Sequence, residues 1–240
     1  MKWTIPVLIV LSAGPALAAG KFVAPKGCKV YVTVQHTDCE VSNHYRCDGD
    51  AEGDQWAVYA GQNGPFYLSK TDAETRWLQD TDLTSGEASR LASEADPASF
   101  SELLRTGLDS YDFTTENSLN GERRYQGYDH LTGKTVSIGK VRLEQTEFQL
   151  TTYGADGAVL SRRKGQQLIN RDWRLFFADT EETEDGAGDK ATSKSAPVSF
   201  AFPGDAGFQS MTPDIGCDMT MTEARVSLLP VAARIVEPGQ

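Results

Sequence analysis

The chain has 240 residues, with 23 Lys and Arg against 34 Asp and Glu and a net charge of −11. A nucleic-acid ligand needs a basic stripe that releases counterions, and the only dense basic cluster, Arg162-Arg163-Lys164, is short and set in an acidic remainder. Phosphate-rich partners are therefore excluded, and the cluster reads as a solvated strand end. The length suffices for one hydrophobic core that relies on neither metal nor disulfides for its main support.

Residues 1–18 read as a secretory signal peptide. Lys2 supplies the positive n-region, Ile5 to Leu11 the apolar h-region, and Ala16 and Ala18 the small residues that specify cleavage after Ala18. Its removal takes Lys and Arg from 23 to 22 against 34 acids, so the net charge becomes −12. The apolar run is shorter than the roughly 20 residues a membrane helix needs, and no later segment resembles a span. A soluble periplasmic or secreted protein is expected, with no transmembrane span in the mature chain. Cys28 does not follow the cleavage point directly, which argues against lipoprotein processing. A single β-rich domain is expected over residues 19–229, followed by a C-terminal tail over 230–240.

Four cysteines allow three pairings, and strand parity chooses between them. Cys28 to Gln35 and Cys39 to Cys47 both alternate with period two around His36-Thr37-Asp38. With Thr37-Asp38 as a two-residue turn, His36 pairs with Cys39 and Cys28 falls opposite Cys47. A Cys28–Cys47 bridge across the hairpin follows, and Cys39 is left for Cys217. The spacings fit no common zinc site and there is no Cys-x-x-Cys, so the cysteines read as structural. In this register His36 and His44 face opposite sides, a poor metal pair.

Asp48, Asp50, Glu52 and Asp54 alternate around glycines, like the first half of a calcium loop. The twelfth position, where a bidentate glutamate belongs, is Tyr59. An acidic turn before the next strand explains the same residues. Gln55 to Ala60 and Pro65 to Thr71 then read as strands about the turn Gly61-Gln-Asn-Gly64.

Two short helices are expected next. Thr84-Ser-Gly-Glu87 has the form of a capping box, followed by Ala88, Leu91, Ala92 and Ala95 at helical spacing. Asp96-Pro97 starts the second, which carries Phe100, Leu103 and Leu104 on one face and ends at Gly107.

From Ser110 to Asp179 the pattern is long strands with tight turns at Asn120-Gly121, Thr132-Gly133, Asp156-Gly157 and Asn170-Arg-Asp172. Strands as long as Val141 to Tyr153 must coil, so the expected architecture is mainly β: a curved antiparallel meander or partial barrel with a disulfide-stapled N-terminal hairpin. Glu181 to Ser195 lacks large apolar residues and reads as a mobile acidic loop. Pro197 to Phe202 resumes a strand, Gly204 to Gly216 is irregular, and Cys217 to Leu229 is expected to close the sheet.

No catalytic residue is assigned. There is no Gly-x-Ser-x-Gly, and the three histidines, His36, His44 and His130, form no motif. No cofactor or metal is expected. A curved sheet makes an apolar concavity, which suggests a non-enzymatic envelope protein that binds a hydrophobic small molecule or acyl chain. Tyr111, Phe113, Tyr125, Phe148, Trp173 and Phe176 are the candidate ligand-wall residues. The alternatives are a structural or protein-interaction module of the cell envelope, with an envelope protein as partner, and a hydrolase that uses an acidic pair.

Overall fold

The computed structural model describes residues 20–217. The signal segment 1–18, the strand expected beyond Cys217 and the tail 230–240 lie outside the described residues. The strands are, in chain order, β1 (Cys28–His36), β2 (Val41–Cys47), β3 (Gln55–Gly61), β4 (Gly64–Thr71), β5 (Trp77–Asp82), β6 (Ala88–Asp96) and β7 (Leu108–Asn117). They continue with β8 (Gly121–Ile138), β9 (Val141–Gly154), β10 (Val159–Asn170), β11 (Leu175–Asp185), β12 (Lys190–Lys194) and β13 (Pro197–Ala201), and one helix, α1 (Phe100–Thr106), precedes β7.

All thirteen strands form one antiparallel sheet in which neighbours from β1 to β12 are sequential and β13 returns to pair with β1. The sheet is not closed by a ladder. Its two edges, β12 and β13, are consecutive in the chain, and the link between them crosses the seam. There Ser195 N–H donates to the Asp179 carbonyl and Thr37 N–H to the Ala196 carbonyl, both at 2.9 Å.

The curl is visible in the core. Val32 and Val34 of β1 pack in one cluster with Val141 and Leu143 of β9, Leu168 of β10, and Leu175 and Phe177 of β11, so strands far apart in the sheet order share one interior. Strand twist accumulated over so many long strands brings the two ends together. Tyr111, Phe113, Tyr125, Phe148 and Leu150 form a second cluster. A third, on the opposite face of β1–β3, joins Val30, Tyr45 and Val58 to Phe22, Phe208 and Met211. The irregular segment after β13 is thus laid over the outside of the first hairpin. Its backbone is satisfied by side chains: Thr33 accepts from the Gln209 amide at 2.8 Å, Gln35 from the Asp214 amide at 2.9 Å, and Asn43 donates to the Ser210 carbonyl at 2.8 Å.

Both disulfides form as the parity argument predicts, Cys28–Cys47 and Cys39–Cys217. The turn between β1 and β2 is different from the expected one. His36 N–H donates to the Glu40 carbonyl at 2.9 Å, so the loop is Thr37-Asp38-Cys39, with Cys39 left-handed at φ 61°. A three-residue hairpin loop ends in a left-handed residue for this reason. Paired numbers therefore sum to 76 from Gln35–Val41 to Val32–His44, and a bulge at Tyr31 restores the sum of 75 at Val30–Tyr45, Lys29–Arg46 and Cys28–Cys47. The loop and the bulge shift the register in opposite senses, which cancels at the cysteines but not at the histidines.

Other expectations are corrected. The segment after Thr84 is not a helix: Asp82 holds the Thr84 and Ser85 amides in a hairpin turn, and Ala88–Asp96 is a strand paired to β7. Two bulges in β6 displace the ordinary two-residue alternation, which gives its apolar residues a helix-like spacing. The second helix does end at Gly107, in the left-handed conformation at φ 85°, but it starts at Phe100 with Ser99 as its N-cap. Strand β5 was not anticipated. Thr132-Gly133 is a bulge inside the 18-residue β8, and the chain reverses at Gly139-Lys140 instead.

The acidic segment 181–195 is the end of β11, a turn and β12, rather than a loop without structure. Its order comes from β10. Arg162, Arg163 and Lys164 pair directly with Glu184, Thr183 and Glu182, so the basic cluster and the acidic segment meet across one ladder. Arg163 grips Glu181 with two hydrogen bonds of 2.7 and 2.6 Å, and both side chains are buried.

Candidate functional site

The inside of the curled sheet holds a cavity of about 160 Å³. Period-two alternation aims one face of each strand into it: Ala57 and Tyr59 from β3, Tyr67 and Ser69 from β4, Trp77 and Gln79 from β5, Tyr111 and Phe113 from β7, and Asp129 from β8. Gln167 of β10 and Phe176 and Phe177 of β11 complete the wall, with His36 and His44 from the first hairpin. Gln79 is exposed and marks the rim.

Of the six aromatic residues expected to form a ligand wall, Tyr111, Phe113 and Phe176 line this cavity. Tyr125 and Phe148 stand behind them in the same buried cluster, and the Tyr125 ring stacks on Phe113 at 5.1 Å. Trp173 lies elsewhere, against Tyr31, Phe200 and Phe202. The acidic turn is also separate. Asp50 and Asp54 converge on the Lys70 ammonium at 2.7 and 2.8 Å, and Asp50 also accepts from the Trp56 indole, so a lysine occupies the place between these carboxylates. Among the described residues no group of three or more His, Cys, Asp or Glu side chains is arranged to hold a metal ion.

The one-residue shift in the first hairpin turns His36 and His44 to the same side, where both meet Ser42. His36 Nε2 lies 2.9 Å and His44 Nε2 3.0 Å from its hydroxyl. One hydroxyl proton serves one imidazole, so the other ring must donate to the serine. The ring that donates through Nε2 leaves its Nδ1 a bare acceptor, and the ring that accepts carries its proton on Nδ1. Burial, reinforced by His36, holds His44 down to about 3, and burial lowers His36 too, so both rings are neutral at physiological pH. Ser42 is fully buried with its hydroxyl engaged on both sides, and it is not part of the cavity wall. That arrangement couples the two tautomers and does not expose a nucleophile.

Four wall residues carry a buried polar atom with no hydrogen-bond partner among the described residues: His36 Nδ1, His44 Nδ1, Tyr67 Oη and Gln167 Oε1. Each side chain is more than nine-tenths buried. Buried polar groups are nearly always satisfied by protein or water, so four orphans around one cavity make it the candidate site. Asp129, also in the wall, is pushed up to about 8 by burial and then by the charge of Asp109. Asp80 is pushed up to about 7 by burial, against the pull of a Ser89 hydrogen bond.

Comparison of the chain with family models, with curated proteins and with solved structures gives no match. Function rests on the site alone.

Sequence reasoning missed His44, Tyr67, Gln167 and Asp129. Tyr67 was legible as an alternating residue of its strand, and Asp129 as a carboxylate on the Tyr111 side of a long strand pair. Nothing local marked Gln167, because its position depends on a bulge between Gln166 and Gln167 in the β10–β11 ladder.

Proposed function

We propose that this protein is a non-enzymatic carrier or receptor that holds a compact, mainly apolar small molecule inside its curled sheet. The observation that carries this reading is the cavity itself, walled by aromatic rings and edged by buried polar atoms that lack partners. A cavity of about 150 Å³ admits a single benzene ring, which sets the scale of the ligand body. Two disulfides and no free cysteine among the described residues, together with the signal-like start, support a periplasmic or secreted location. Among those residues, no helix is long and apolar enough to cross a membrane.

Two measurements test the proposal. Organic extraction of the purified protein followed by mass spectrometry is expected to release a small molecule. Isothermal titration with 2-phenylethanol is expected to give saturable heat that Ala57→Phe, which fills the cavity, abolishes. A folded protein that yields no extractable molecule and no heat refutes it.

A further inference from the structure

The cavity is not a neutral oil-filled pocket. Its ionisable acids and base are Glu40, Asp80, Asp129 and Lys70, and Lys70 is already held by Asp50 and Asp54. The charge of Arg163 reaches Tyr111 nearby, but its guanidinium is locked on Glu181. No cation among the described residues is paired with Asp129. Gln167 Oε1, unpartnered in the wall, is an acceptor, and Tyr67 Oη can accept as well. A fatty-acid carboxylate brings no donor to these atoms and would set its charge beside carboxyl groups. An ammonium brings only donors, and its charge favours the ionised form of Asp129, so that carboxyl releases its proton to solvent on binding.

The rings supply the second half of the match. Tyr111, beside Asp129, lies 6.1 Å from Phe113, and Phe113 lies 5.0 Å from Trp77 between ring centroids, so a run of aromatic faces and edges borders that carboxyl in the cavity wall. Aromatic faces attract a cation within about 6 Å, most strongly where water is excluded. An ammonium has three donors and no acceptor, and a charge-assisted bond to a carboxylate is among the stronger hydrogen bonds.

We propose that the cavity binds a compact organic amine in its protonated form, its ammonium set against the ionised Asp129 and its apolar body against the aromatic wall. This rests on the ligand-binding reading above and names the class of ligand. The size of the cavity limits the body to about one ring.

The test compares three probes of one shape on the full-length mature protein by isothermal titration at pH 7: 2-phenylethylamine, 2-phenylethanol and phenylacetate. The amine is expected to bind at least tenfold more tightly than the alcohol, and phenylacetate least. Asp129→Asn is expected to cost the amine at least tenfold and to leave the alcohol within twofold. Its melting temperature, measured alongside, separates lost binding from lost fold. If the alcohol or the acid binds as well as the amine, or if Asp129→Asn leaves amine affinity unchanged, the amine proposal is overturned while the ligand-binding reading stands. If none of the three binds, both fall.

Discussion

Asp109 and Asp129 stand directly opposite each other on β7 and β8, and both are buried. Like charges at paired positions of a ladder repel, and burial adds to the cost of ionising them. The pair is asymmetric. Asp109 accepts a 2.9 Å hydrogen bond from the Ser99 amide and is pushed up only to about 6, by burial against that bond and by Asp96, Glu102 and Glu74. Asp129, beside the Tyr111 ring and facing Asp109, has no such donor and reaches about 8. The proton at neutral pH therefore resides on Asp129.

That asymmetry sets a pH dependence. An aspartate in the unfolded chain titrates near 3.9, so between about pH 4 and pH 8 the folded protein binds more protons than the unfolded one. The stability contributed by protonated Asp129 is complete below that window and is lost as pH rises through it. Asp129→Asn is expected to change little at pH 5 and to stabilise by roughly 2–4 kcal/mol at pH 8.5, read from urea unfolding at both values. A variant equally destabilised at both would show that Asp129 is ionised and paired in the fold.

Arg163 and Glu181 tie the basic cluster to the acidic segment in a buried, bidentate pair, and Thr183 adds a third bond to Glu181 at 2.8 Å. Removing one partner of such a pair leaves a buried charge, at a cost of about 3–5 kcal/mol. Arg163→Met and Glu181→Leu are each expected to destabilise on this scale. The double variant should recover more than half of the summed loss, as measured by a double-mutant cycle in urea. The surface pairs beside them, Arg162–Glu184 and Lys164–Glu182, should each be worth under about 1 kcal/mol.

How far the sequence carried depends on whether local pattern or distant contact decided the element. The Cys28–Cys47 staple was legible because alternation fixes which residues share a face, and two opposite one-residue shifts cancel before the cysteines. The shared side of His36 and His44 was not, since it lies between those shifts. In β6 the bulges near Leu91 and Glu94 break the alternation that would have revealed a strand, while pairing with β7 overrides a plausible cap at Thr84. The segment 181–195 has too little apolar surface to order itself. It is ordered by Arg163 and its neighbours on another strand, a contact that composition within the segment does not contain. The cavity wall was half legible for the same reason: Tyr111 and Phe113 follow from strand parity, whereas the side of the fold that Trp173 reaches follows from the curl.

Gly127 is required by a close approach. A β-carbon there would lie 2.2 Å from the Gln149 carbonyl oxygen and 2.9 Å from the Tyr111 ring, which lies across the ladder on its cross-strand partner. A backbone atom cannot yield as a flexible side chain does, so the strand pair must part. Gly127→Ala is expected to cost about 2–4 kcal/mol and to displace Tyr111 from the cavity wall. Thermal unfolding checks the first effect. The second should appear as weaker binding of 2-phenylethanol under conditions where the variant remains folded.

The two disulfides constrain very different lengths of chain, 19 residues for Cys28–Cys47 and 178 for Cys39–Cys217. In the chain-entropy model a loop of about 15 residues is worth about 3 kcal/mol and one of 100 about 4.7, so the longer bridge should contribute more. Structure points the same way. Cys28 and Cys47 already face each other in a ladder that pairs without them, whereas Cys217 ends the irregular segment laid over the outside of β1 and β2, where it anchors that cover to the Cys39 turn. Replacing Cys39 and Cys217 together by serine should therefore destabilise by more than replacing Cys28 and Cys47. It should also expose the face carrying Val30, Tyr45 and Val58, and so increase binding of the dye 1-anilinonaphthalene-8-sulfonate. Equal losses from the two double variants, with no added dye binding, would show that the cover holds by its hydrogen bonds to Thr33, Gln35 and Asn43 alone.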